Sequence, residues 1–191
     1  MRSLWRFACH NAFESTLFGK DGAVCSPNPH IHSILGTLAG LIKYGTLAAN
    51  MRFVELGRTV FDWAYHKAGR FGWIPESLRE EEVCETCSVA DMAECAILLA
   101  RAGYREYWNH AKRIIRNQLV ENQLREVSWI AAGKMDDLDM QIADRAMGSF
   151  AGWSLPNDFV SGEKSSTMAD GVKYEIQECC TLHALHELYV A

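Results

Sequence analysis

The stretch Val83-Cys84-Glu85-Thr86-Cys87-Ser88 runs directly into an apolar segment, residues 89–102, and the two together set the fold class and the candidate chemistry. Met92, Ala93, Ala96, Ile97 and Ala100 recur at helical spacing, and Gly103 ends the pattern. Ser88 with Asp91 three residues on forms a capping-box-like start, Asp replacing the usual Glu. The spacing therefore predicts a helix over 89–102, with Glu85 and Cys87 in a turn ahead of it.

Working outward, the same period returns on both sides. Ile31, Ile34, Leu35, Leu38, Leu41 and Ile42 form a stripe ending at Gly45, and Phe53, Val54, Val60, Phe61 and Ala64 mark a helix over 49–67. Tyr107, Trp108, Ala111, Ile114, Ile115 and Leu119 form the partner of the central helix. Leu4, Trp5, Ala8 and Ala12 predict a helix over 2–14, and 181–190 reads as a final one. Residues 136–145 read as helical, 127–132 are ambiguous, and 148–178, rich in Gly, Ser, Pro and Asn, read as loop with short strands. No strand alternates with the helices, which argues against a parallel α/β sheet. The expected fold is all-α: paired antiparallel helices joined by short Gly turns, of a length that suits an (α/α)6 barrel, or six-hairpin toroid.

The chain has 191 residues, enough for one domain with a sizeable core. A net charge of -5 with no basic cluster argues against nucleic-acid and anionic-membrane partners. The apolar runs are too short to span a bilayer. The N-terminal residues lack a signal-peptide core, and the 7 cysteines are an odd number, so the thiols are read as reduced in a cytoplasmic setting.

Far downstream of the central stretch stands a vicinal pair, Cys179-Cys180. Thiolates and carboxylates are zinc ligands, and four fill a tetrahedral shell. The expectation is that the two stretches meet and bind one metal. The residues alone leave the shell open. Glu85 and Cys87 with the Cys pair is one; Cys84-x-x-Cys87 with Cys179 and Cys180, an all-cysteine structural site in a non-catalytic helical scaffold, is another; His183 and His186 offer a third, though they read first as a solvated helix surface. Trp73, Trp129 and Trp153 lie in loop-like segments, where packing in the core is the plain role of each, and capping of its own helix is the plainer role for His30.

Glu85-Thr86-Cys87, the Cys179-Cys180 pair, His32-Ser33-x-Leu35 and the block 111–117 together resemble glycoside hydrolase family 127, whose type member is a β-L-arabinofuranosidase. The resemblance spans roughly residues 30–180. It implies an (α/α)6 barrel followed by β-sandwich domains, Zn2+ held by Glu85, Cys87, Cys179 and Cys180, Cys179 as the nucleophile, and a carbohydrate substrate. For such a substrate the rings of Trp73, Trp129 and Trp153, in loop-like segments, could stack on a sugar, and His30 and His32 could hydrogen-bond its hydroxyls as a family histidine does; His32, Trp73 and Trp153 are the expected contacts. The family takes its acid/base from a Gly-Glu segment whose spacing falls here on Gly69, so Glu76 is the nearest equivalent, with Glu80, Glu81 and Glu82 as rivals. The Pro and Asn that follow the family's cysteine pair are replaced by Thr181-Leu182-His183.

The chain begins inside an apolar helix pattern and ends mid-pattern at Leu188-Tyr189-Val190-Ala191. Residues 1–191 are therefore expected to be a partial barrel domain, lacking its N-terminal helices and β-sandwich domains, with little or no glycosidase activity alone. Leu4, Trp5 and Ala8 at one edge, and Leu182, Leu185 and Tyr189 at the other, are expected to be uncovered and to drive self-association.

Overall fold

The computed structural model describes residues 18, 19, 21–25, 30–77, 84–125, 147–154 and 178–190. These residues are mostly helical. They form α1 (Ile31–Leu47), α2 (Met51–Tyr65), β1 (Cys84–Glu85), α3 (Thr86–Arg101), α4 (Tyr107–Ile114), β2 (Trp153–Ser154) and α5 (Glu178–Val190). The segments 2–14, 127–132 and 136–145, like Trp129 and Glu80 to Glu82, lie outside the described residues. Among the described residues no helix is long and apolar enough to cross a membrane.

Helices α1 and α2 form an antiparallel hairpin. Their apolar stripes face each other, with Ile42 opposite Gly57 and Gly45 opposite Phe53 and Val54. Ala49, at φ 50°, makes the reversal, and the Asn50 side chain accepts the Arg52 N–H to start α2. The chain then reaches α3 through Gly69–Gly72, where Gly72 sits at φ 103° with its Cα against the backbone of Ile114.

Helix α3 is the centre. Nearly every side chain from Thr86 to Ala100 is buried, and α1, α2, α4 and α5 all pack on it. A helix buried all round has no solvated face. Its alanines, Ala90, Ala93, Ala96 and Ala100, let the four neighbours approach closely. Cys95 donates its thiol to the Leu35 carbonyl of α1 at 3.4 Å, and burial pushes that thiol well above its usual range, so it is an inert core group. The pairs Cys87/Cys180 and Asp91/His183 advance together, so α3 and α5 run parallel; His32/Asp91 and Leu35/Cys95 give α1 the same sense.

Past Tyr107–Ile114 the helix loosens into a π turn, Ile115–Leu119, and a 3-10 turn, Val120–Asn122. The wider turn carries Gln118 and Leu119 inward. Between α2 and α4, Phe61, Tyr65, Tyr107 and His110 form an aromatic cluster, with the His110 ring 4.3 Å from Tyr65. On α5, Leu182, Leu185 and Tyr189 are exposed, at 70%, 47% and 90%. That matches the edge expected there; Leu4, Trp5 and Ala8 are outside the described residues.

Two outcomes test this packing. A Cβ at Gly57 would collide with the Ile42 side chain, whereas one at Gly40 would meet nothing. Gly57→Ala should cost about 1–3 kcal/mol of overpacking, exceeding the ~1 kcal/mol helix-propensity gain, while Gly40→Ala should stabilise by about 0.5–1 kcal/mol. Opposite shifts of the urea midpoint are the readout. The second concerns His110, whose imidazole is held below its usual range by burial, with Arg113 adding to the effect. A depressed histidine contributes stability that is present above the unfolded value, ~6.5, and lost as pH falls through the folded value. His110→Phe keeps a ring in the cluster and removes the proton site. The variant should gain on wild type at about pH 5, with the gap closing above about pH 7, when the two are compared by urea unfolding.

Candidate metal centre

Helix α3 begins at Thr86, three residues before the expected start, so Cys87 lies in the first helical turn rather than ahead of it, and Glu85 is the residue preceding the helix. The cause is tertiary. Glu85 pairs with Trp153 across the β1–β2 ladder, the Thr86 N–H donates to the Gly152 carbonyl at 2.9 Å, and the Thr86 hydroxyl donates to the Ala151 carbonyl at 2.5 Å. These contacts start the helix in place of a Ser88–Asp91 box. The Ser88 hydroxyl is buried without a hydrogen-bond partner, and the Asp91 carboxylate faces histidines instead.

A buried polar chain braces the turn. The Asn122 amide donates to the Thr86 hydroxyl at 2.8 Å, and the Gln118 amide donates to Asn122 Oδ1 at 2.9 Å. The Ala151 N–H closes the chain on the Asn122 carbonyl at 2.9 Å.

Helix α5 begins at Glu178, which puts Cys179 and Cys180 in its first turn. The Cys180 and Cys87 sulfurs lie 3.0 Å apart, both buried, well beyond the ~2.05 Å of a disulfide bond. Each stands at a helix N-terminus, whose positive potential favours a thiolate. Ligand atoms of Cys87, Glu85 and His32 all lie within 4.8 Å of one another. The Cys84 thiol is placed differently and points to the Glu85 carbonyl at 3.8 Å.

Two histidines close this end. His30 Nε2 stands 2.9 Å from Glu85 Oε2 and 3.6 Å from Glu76 Oε1, while its Nδ1 meets the Ser33 hydroxyl at 2.9 Å. A carboxylate only accepts, so Nε2–H donates to Glu85, and Nδ1 of the neutral ring accepts from Ser33. His30 thus joins the helix-start contact to a contact with the acidic cluster. His32 Nδ1–H donates to Asp91 Oδ2 at 2.5 Å, leaving Nε2 of the neutral ring as its remaining polar atom. That hydrogen bond raises the His32 imidazole above its usual range, against the opposing effect of burial.

Below this end the α3–α5 seam continues polar. Asp91, with no exposed surface, takes His32 on Oδ2 and has His183 Nε2 2.8 Å from Oδ1. The Asp91 contact raises His183 as well. His183 is therefore half-buried at a helix interface, correcting its reading as a solvated surface group. One turn on, Glu94 pairs with Lys43 of α1, and the fully buried Glu187 is pushed above the usual carboxylate range by burial and by Glu94. His186 is the exposed member of the pair, 2.7 Å from Glu187 Oε1.

Of the residues singled out from sequence, Glu85, Cys87, Cys180, His32 and Glu76 are brought to one end of the helix set. Glu76 keeps 26% of its side chain exposed there. Trp73 packs against the core, its Nε1 buried without a hydrogen-bond partner. Trp153 pairs with Glu85 through the backbone; its side chain, like that of Cys179, is outside the described residues. Asp91, Glu94 and Glu187 were missed as functional groups. Their signal was available: Cys87, Asp91 and Glu94 share one helix face, as do Cys180, His183 and Glu187. No family model, curated protein or solved structure matches the chain.

Asn122→Ala leaves the Gln118 and Thr86 groups without their buried partner, which should cost about 1–3 kcal/mol. Backbone amides of 84–86 and 151–154 should lose hydrogen-exchange protection before those of α1 and α2; equal loss throughout would show that the polar chain does not brace this end.

Proposed function

We propose that the chain is part of the catalytic domain of a retaining glycoside hydrolase resembling β-L-arabinofuranosidases, built on an α/α toroid, with Zn2+ held by Glu85, Cys87, Cys179 and Cys180. The observation that carries this reading is the approach of Cys87 and Cys180, with Glu85 and His32 against them, from segments 93 residues apart. The donor set fits. Two buried thiols and a buried carboxylate at two helix N-termini suit a borderline-soft divalent cation and suit little else. The parallel sense of α1, α3 and α5, with α2 returning antiparallel to α1, supports the toroid.

Zinc, when bound, keeps its cysteine ligands deprotonated at neutral pH. The rest of the chemistry belongs to the chain. Cys179 attacks the anomeric carbon; a C–S bond forms as the glycosidic C–O bond breaks, and the departing oxygen takes a proton from Glu76. Glu76, now a carboxylate, takes a proton from water, which attacks the same carbon as the C–S bond breaks. Two inversions leave the configuration retained. His30, beside both Glu85 and Glu76, orients the acid/base. His32, fixed by Asp91, offers Nε2 to a sugar hydroxyl. Carbohydrate is thus the partner, with Trp73 and Trp153 as the candidate stacking rings, and the exposed α5 edge would meet a second copy.

Covalent labelling tests the reaction with a single turnover. Incubating the zinc-loaded chain with an activated aryl β-L-arabinofuranoside should add one pentosyl mass at Cys179. Cys179→Ser should abolish the adduct, and Glu76→Gln should slow formation and breakdown with poor leaving groups by about 10²–10⁴-fold. Labelling at a residue other than Cys179, or labelling that survives Cys179→Ser, contradicts the proposal.

A further inference from the structure

Below the sulfur-bearing end, the α3–α5 seam holds a second group of side chains able to ligate a metal, of which only Asp91 enters the reaction above, through His32. Ligand atoms of Asp91, Glu94 and His183 lie within 4.8 Å of one another. We infer that Asp91, Glu94 and His183, with Glu187 beside them, form a second site for a divalent transition cation. This site stands independently of the zinc–thiolate reading.

Three observations carry it. Asp91 Oδ1 and His183 Nε2 are 2.8 Å apart, yet neither has a hydrogen-bond partner, so the ring N–H does not point at the oxygen. Two buried polar atoms that converge without bonding each other are placed as two ligands of one centre are. Second, Glu187 has no exposed surface, and its Oε2 is also buried without a partner, one helical turn beyond His183. Third, among the described residues the carboxyls of this seam outnumber the permanent cations. Asp91, Glu94 and Glu187 bring three carboxyls into the seam, and Lys43 is the permanent cation that answers them, on Glu94. Uncompensated buried carboxylates are costly, and a divalent cation offsets them.

Access is from the α1 side. Gly36 is exposed and presents no side chain there; a Cβ at that position would sit 3.5 Å from Asp91 Oδ1. Carboxylate oxygens with one imidazole suit Mn2+, Fe2+ or Zn2+ and, lacking sulfur, differ in kind from the first centre. The two are joined through one residue. Asp91 presents Oδ1 to the second site and Oδ2 to the His32 Nδ1–H, so it orients an imidazole of the first site while serving the second.

Cobalt separates the two. The full chain, reduced and stripped of metal, is titrated with Co2+ alone under anaerobic conditions, with equilibrium dialysis for stoichiometry and absorption for ligand type. Two equivalents should bind: one with an intense thiolate-to-metal charge-transfer band, the other with weak d–d bands only. His183→Gln and Glu94→Gln should each weaken the second by about 10-fold or more and leave the thiolate band in place. Cys87→Ser with Cys180→Ser should remove the band and keep the second equivalent. Helical circular dichroism is the folding control for every variant. A single equivalent in wild type that carries the thiolate band, or a band-less one unaffected by both His183→Gln and Glu94→Gln, overturns the inference. A band-less equivalent that persists in a chain showing no thiolate band supports it, and contradicts the zinc–thiolate reading instead.

Discussion

A carboxylate with no exposed surface, held between two imidazoles, is the constraint on which this structure depends. Asp91 lies in the middle of a helix that is buried almost all round. An ionised side chain there survives only if it is paired, and removing one partner of such a pair commonly costs about 3–5 kcal/mol. Its partners come from different elements, His32 from α1 and His183 from α5. Holding both imidazoles against Asp91, one by a hydrogen bond and one by a charge contact, therefore fixes the rotation of both helices about α3. Those rotations bring His32 to Glu85 and Cys87, and Cys180 to Cys87 one turn away.

The same logic separates the cysteines by role. Cys95 and Cys87 lie on one helix, two turns apart. Cys95 is fully buried and donates its thiol to a backbone carbonyl; burial first, and then the carboxylates of Asp91, Glu94 and Glu187, hold it as a thiol. Cys87 stands at the helix N-terminus against a second sulfur and beside a carboxylate. Two chemistries from one residue type follow from position along the helix axis, because the unsatisfied N–H groups are confined to the first turn.

The helical architecture was legible in the sequence because α1, α2 and α3 each carry an apolar stripe with a glycine or a polar cap at the end. Helix starts were less legible. At Thr86 and Glu178 the chain enters the helix before its apolar pattern begins, since a two-residue strand pair and a threonine contact supply the terminus that Ser88 was expected to cap. The meeting of Glu85, Cys87 and Cys180 was anticipated from ligand chemistry. The polar seam beneath them was not, because a search for apolar periodicity passes over Asp91, Glu94 and Glu187. Read as polar residues at helical spacing on buried helices, they carry the same kind of signal as the stripes. His183 was misjudged for a related reason. Its partner lies 92 positions away in sequence, and no local pattern reports on that.

Zinc-edge X-ray absorption on the full chain tests the central claim most directly. In the His183→Gln, Glu94→Gln variant, which lacks the second site, the account predicts one bound zinc with mixed scattering, sulfur at ~2.3 Å together with oxygen at ~2.0–2.2 Å, the oxygen contribution altered by Glu85→Gln. A shell of sulfur alone, or of nitrogen and oxygen without sulfur, would contradict it.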